Sequence, residues 1–71
     1  MPKLHSSRYL IKILQKQGFF VVSQKGSHIK LQKNEKNKLI TIVPANKKEI
    51  PYGTFKAILL QTKLSSEIFK K

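Results

Sequence analysis

The chain has 71 residues, no cysteine, and 15 lysine and arginine residues against 3 acidic ones, which gives a formal net charge of +12 at pH 7. This length allows a single domain that buries roughly 60% of its unfolded surface, and the lack of cysteine excludes disulfides and thiolate metal clusters. The charge favours a polyanionic partner, namely nucleic acid, an anionic membrane surface or an acidic protein.

Residues 6–18, SSRYLIKILQKQG, are predicted to form the first helix. The hydroxyl of Ser6 or Ser7 can cap its start, and Gly18 can supply the left-handed position that commonly follows a helix. The side chains expected on the buried side are Leu10, Ile11, Ile13, Leu14 and Gln17.

Three strands are predicted next. The first, FFVVSQ, is rich in aromatic and β-branched residues. The second, SHIKLQK, alternates between apolar and polar residues, and the third, KLITIV, is nearly continuous in apolar ones. NEKN joins the second strand to the third, which ends at Pro44. Lys25-Gly26 is predicted as the turn between the first two strands. A type I′ turn there needs a positive φ at Lys25, so a longer loop with Gly26 in the left-handed region remains an alternative.

After the loop PANKKEIPYG, the segment FKAILLQTK is predicted to form the second helix, capped by Thr54. Ser65 can cap a final short turn, SEIFKK, that packs Ile68 or Phe69. The side chains expected to face inward from the second helix are Phe55, Ile58, Leu59 and Thr62.

The predicted order is α-β-β-β-α with a short C-terminal helix. Three consecutive strands with short connections are antiparallel neighbours, and two helices on one face of their sheet make a two-layer α+β domain. We expect residues 1–71 to form one such domain. The N-terminal sequence MPKLHSSRYL has no signal-peptide pattern and no apolar run approaches about 18 residues, so we expect a cytoplasmic protein without a membrane partner.

His28 lies at the start of the second predicted strand. Since side chains alternate along a strand, Ile29 and Leu31 should face the helices, whereas His28, Lys30 and Gln32 should share the open face. A two-residue turn at Lys25-Gly26 would place Ser23 opposite His28.

This corner of the hairpin suits a phosphodiester ligand. Gly26 lets a ligand approach the backbone closely, Ser27 offers a hydroxyl, and Lys25 and Lys30 can stabilise a phosphate. His28 can transfer protons near neutral pH, as RNA cleavage without a metal requires. In most proteins, however, one exposed histidine on a basic hairpin is simply solvated, and both interpretations are open at this point.

A metal site is not expected, because the two histidines are distant in sequence and the three acidic residues are scattered. His5 is predicted to belong to a frayed N-terminus. No small-molecule cofactor is expected.

Five short motifs follow one another along the chain, namely Gly18-Phe19, Gly26-Ser27-His28, Val43-Pro44, Gly53-Thr54 and Ile58-Leu59. In this order they resemble the HicA-type mRNA interferase family of type II toxin–antitoxin systems.

The resemblance implies a fold like that of double-stranded-RNA-binding domains and metal-independent cleavage of mRNA that depends on His28. It also implies that Gly26 lies next to the active site and that a HicB-type antitoxin covers the active face. The proposed RNA contacts of Lys25, Ser27 and Lys30 come from the strand geometry alone.

One feature departs from this family pattern, in which many members carry a second histidine shortly after Val-Pro. This chain has Ala45-Asn46 there, and an asparagine cannot act as an acid or a base. If the second histidine takes part in the chemistry, this chain would be slow or inactive; if it serves only in binding, the loss is mild. Apart from this departure, two other functions stay open: a non-catalytic domain that binds structured RNA through its lysines, and a protein-binding module that docks on an acidic partner.

Overall fold

A computed structural model describes residues 3–70. The prediction for the final turn extends to Lys71, and that for the N-terminal segment starts at Met1, so both lie partly outside the described residues. The elements are α1 (Ser7–Lys16), β1 (Phe20–Lys25), β2 (His28–Lys33), β3 (Leu39–Pro44), α2 (Tyr52–Thr62) and a 3₁₀ helix (Ser66–Phe69). The predicted α-β-β-β-α order is confirmed. Across residues 3–70, no helix is long and apolar enough to span a bilayer.

The three strands form one antiparallel sheet in the order β1-β2-β3, with β2 in the centre. The pairing of β1 with β2 shifts between Val21 and Ser23, so that Val22 is an extra residue in a β-bulge. Both helices pack on the same face of the sheet, as predicted. Their core consists of Leu10, Leu14, Phe19, Leu31, Val43, Ile50, Phe55, Ile58 and Phe69.

The helix ends agree with the sequence in part. The Ser6 hydroxyl caps α1 by accepting a hydrogen bond from the Tyr9 amide, and Gly18 follows the helix with a φ of +98°. The Ser65 hydroxyl caps the 3₁₀ helix, as predicted. The prediction that Thr54 caps α2 is wrong, because α2 already begins at Tyr52 and has no side-chain cap.

The prediction that His5 belongs to a frayed terminus is also wrong. Its ring packs against three aromatic rings of the core layer, with centroids 5.1 Å from Tyr9, 5.2 Å from Phe55 and 6.3 Å from Phe69. Its carbonyl oxygen accepts a hydrogen bond of 2.7 Å from the Ile50 amide. These contacts fix the segment that leads into α1.

Candidate functional site

The turn between β1 and β2 consists of Gly26 and Ser27, since Lys25 pairs directly with His28. The predicted turn at Lys25-Gly26 is therefore wrong by one residue. The alternative is confirmed only in part: Gly26 has a positive φ of +55°, but the connection has two residues and is not a longer loop. A positive φ at only the first central residue is the pattern of a type II′ turn, in which glycine supplies that conformation without steric cost.

His28 is exposed at the first position of the central strand. Lys25 lies opposite it on β1 and Pro44 lies opposite it on β3. Directly opposed side chains share one face of a sheet, with Cβ atoms roughly 4.5–5.5 Å apart. The Lys25 side chain therefore starts beside the imidazole, in the position where the sequence predicted Ser23.

The predicted alternation along β2 is confirmed. Leu31 is fully buried on the helix side, so His28 and Lys30 project from the opposite surface. This surface, which we call the open face, combines three cross-strand rows: Lys25, His28 and Pro44; Ser23, Lys30 and Ile42; and Phe20, Gln32 and Ile40.

The turn is open on its outer side. Apart from Gly26 and its two chain neighbours, no heavy atom of residues 3–70 lies within 4 Å of the position that a Cβ of Gly26 would occupy, so a ligand can approach the backbone there. On its other side, the Ser27 carbonyl oxygen accepts a hydrogen bond of 2.6 Å from the Ala45 amide. This bond joins the β1–β2 turn to the loop that follows β3.

A buried serine fixes that loop to α1. The Ser7 hydroxyl donates a hydrogen bond of 2.5 Å to the Pro44 carbonyl oxygen and accepts one of 2.9 Å from the Lys47 amide. The Ser7 amide donates a third bond, of 2.9 Å, to the Lys47 carbonyl oxygen. Sequence reasoning considered Ser7 only as a helix cap and missed this role, because its partners lie about 40 residues away in the chain.

Among residues 3–70, no ion pair neutralises the positive charge at the His28 end of the sheet. Within residues 3–70, the ion pairs are Lys33 with Glu35, at 2.9 Å, and Lys70 with Glu67, at 3.3 Å. Glu35 lies in the loop after β2, at the opposite end of the sheet from His28. The basic side chains near His28 are therefore available to a phosphate.

The described part of the chain contains no group of three or more histidine, cysteine or acidic residues that could hold a metal ion. The basic residues nearest to the His28 imidazole in the sheet are Lys25, opposite it on β1, and Lys30, two positions along β2 on the same face. Such a set can move protons and stabilise negative charge on a phosphate.

The open face also carries apolar side chains that the sequence did not predict there. Phe20 is 42% exposed, and Ile40 and Ile42 are each 39% exposed. The bulge at Val22 is responsible for the position of Phe20, because it shifts the alternation and pairs Phe20 with Gln32. We call Phe20, Ile40 and Ile42 the apolar residues of the open face.

Comparison with curated proteins gives no significant match. Residues 7–64 match the family described as HicA toxin of bacterial toxin–antitoxin systems. This range includes α1, the three strands and α2, and with them His28 and all the residues of the open face. The chain therefore belongs to the HicA toxin family.

Proposed function

We propose that this chain is a metal-independent endoribonuclease that cleaves mRNA in the cytoplasm, with His28 as its acid and base. The observation that carries the proposal is the position of His28, exposed on the open face directly opposite Lys25. Family membership supports the toxin role. Residues 1–71 would act as one toxin domain.

In the proposed reaction, the His28 imidazole takes the proton of a ribose 2′-hydroxyl, and the 2′-oxygen attacks the adjacent phosphorus. The bond from phosphorus to the 5′-oxygen breaks, and the imidazolium returns the proton to that oxygen. The products are a 2′,3′-cyclic phosphate and a 5′-hydroxyl. Lys25 and Lys30 stabilise the negative charge that develops on the phosphate, while Gly26 and Ser27 contact the RNA backbone.

This scheme uses one imidazole for both proton transfers. Asn46 stands near the position of the second histidine of many family members, and its amide supplies no proton at neutral pH. Asn46 also lines a depression together with Ile29. Ile29 pairs with Val43, which is buried on the helix side. The depression therefore lies on the helix side of the sheet rather than on the open face. We therefore assign no proton transfer to Asn46.

The experiment that tests the proposal is incubation of the purified protein with an end-labelled transcript in EDTA. Fragments with 5′-hydroxyl ends are expected, and 2′-deoxy substitution at the cleaved nucleotide should block the cut. An intact transcript with a salt-sensitive mobility shift would instead support a non-catalytic RNA-binding domain. An intact transcript without a shift would favour a purely protein-binding role.

We further propose that a HicB-type antitoxin covers the open face and thereby blocks His28. The apolar residues of the open face support this. Ile40 and Ile42 lie two positions apart on the same face of β3, and exposed apolar side chains that lie together commonly mark protein-binding surfaces. Ile42 pairs with Lys30, and this cross-strand row is next to the row of His28 and Pro44. A partner that buries Ile42 would therefore also restrict access to His28.

An Ile42→Lys variant tests this docking surface. Leu60 offers a matched control, since it is apolar and 81% exposed but lies on α2, in the other layer of the fold. Ile42→Lys is expected to weaken antitoxin binding at least tenfold, whereas Leu60→Lys should leave it unchanged. Equal affinities for the two variants would place the antitoxin elsewhere.

A further inference from the structure

A second concentration of positive charge lies in a depression around the N-terminal end of α1. Its lining includes Arg8, Lys47 and Lys48, together with Asn46 and Ile29. We call it the basic groove. Arg8 is the only arginine in the chain, and the three basic side chains are exposed.

The basic groove is held in shape by hydrogen bonds between Ser7 and the main chain of Lys47 rather than by its own charged side chains. Ser7, which is 3% exposed, bonds to both the amide and the carbonyl oxygen of Lys47. Asn46, which precedes Lys47 and also lines the groove, adopts a left-handed conformation with a φ of 57°. Arg8 follows Ser7 directly, so the loop and the helix present their cations to the same depression.

The groove lies on the helix side of the sheet and His28 on the open face, but both reach the same end of the sheet, where the β1–β2 turn meets the loop after β3. Pro44, opposite His28 on the sheet, is only three residues from Lys47, and three residues span at most about 11 Å. The Ala45 amide bonds to Ser27 in the β1–β2 turn. A single strand that passes His28 can therefore cross this end of the sheet and enter the basic groove.

The charges in the groove favour an anion. Arg8, Lys47 and Lys48 form no ion pair with any residue from 3 to 70. A guanidinium can bind phosphate through two parallel hydrogen bonds, and flanking ammonium groups add point charges. A backbone phosphate of RNA matches this set.

We propose that the basic groove binds a backbone phosphate of the same RNA strand whose neighbouring segment lies at His28. This inference rests on the proposed function, since it extends the substrate path of that site. Arg8 and Lys48 hold the strand and touch no reacting atom. They set how tightly the substrate binds and where the strand lies relative to His28.

The test is the affinity for a short, fluorescently labelled 2′-O-methyl oligonucleotide, which binds as RNA does but lacks the 2′-hydroxyl needed for cleavage. The double variant Arg8→Gln/Lys48→Gln is compared with Lys36→Gln/Lys38→Gln. Lys36 and Lys38 are exposed in the loop between β2 and β3, so both double variants lose two positive charges. Circular dichroism checks that both remain folded.

The groove variant is expected to bind at least tenfold more weakly, with the control within about twofold of the wild type. The slope of log affinity against log salt should fall by about 0.7 for each phosphate that the variant no longer neutralises. Equal weakening in both variants would mean that affinity follows net charge, and the groove proposal would be wrong. The groove proposal would also be wrong if the wild type failed to bind the oligonucleotide. If the protein does not cleave RNA but the two double variants still differ in affinity, only the proposed nuclease activity would be wrong.

Discussion

The Ser7 hydroxyl donates a hydrogen bond of 2.5 Å to the carbonyl oxygen of Pro44. Pro44 is the residue opposite His28 on the sheet, so this bond connects the first turn of α1 to the strand position beside the candidate catalytic group. Because the same hydroxyl accepts from Lys47, Ser7 also sets the course of the loop after β3. The position of the open face relative to the basic groove therefore depends on Ser7.

Replacing Ser7 by alanine should lower the free energy of unfolding by about 2 kcal/mol, because the part-buried bonds to the Pro44 carbonyl oxygen and the Lys47 amide are lost. Urea denaturation measures this change. The rate of RNA cleavage should decrease by more than the fraction of unfolded protein explains, because the loop after β3 is no longer fixed to α1.

The neighbouring serine provides a matched control. Ser6 caps α1, so Ser6→Ala should cost about 1 kcal/mol while the cleavage rate per folded molecule stays the same. An equal decrease of that rate in both variants would show that Ser7 acts through general stability rather than through the loop.

The alternation of side chains along β2 could be predicted from the sequence, because Ile29 and Leu31 are apolar and must face the core. The exact position of the turn between β1 and β2 could not be predicted. A Gly-Ser turn needs one positive φ, which Gly26 supplies, but the choice between neighbouring two-residue turns depends on how β1 packs in the sheet.

Other parts of the site depend on contacts between distant segments. The bulge at Val22 shifts the β1 alternation, and no local pattern in FFVVSQ marks it. The bonds of Ser7 to Pro44 and Lys47 join residues about 40 positions apart. The packing of His5 on Phe55 and Phe69 likewise requires α2 and the 3₁₀ helix to be in place. Such long-range contacts leave no periodic signal in a single sequence.

Lys25 lies directly opposite His28, so its charge should matter to the reaction. We expect Lys25→Gln to lower kcat/KM for RNA about tenfold, which corresponds to about 1.4 kcal/mol of transition-state stabilisation. Single-turnover cleavage assays measure the effect. Lys38→Gln removes the same charge from the far loop and should change kcat/KM by less than twofold. A similar decrease in both variants would argue against a specific interaction of Lys25 with the substrate.

Asn46 adopts a left-handed conformation with a φ of 57°, which alanine tolerates poorly. Asn46→Ala should lower the free energy of unfolding by about 1 kcal/mol, whereas Asn46→Gly should leave it nearly unchanged because glycine populates this region freely. Thermal or urea denaturation of the two variants checks the difference. Equal stability of the alanine and glycine variants would mean that the conformation at residue 46 is not strained.

We expect the His28 imidazole to perform the chemistry of RNA cleavage. The decisive measurement is the single-turnover rate constant for cleavage of a labelled transcript in EDTA by the wild type and by His28→Ala. Since His28 is exposed, the variant should keep its free energy of unfolding within about 0.5 kcal/mol. The rate constant should fall by about 100-fold to 10,000-fold. A folded His28→Ala variant that cleaves as fast as the wild type would contradict this role of His28.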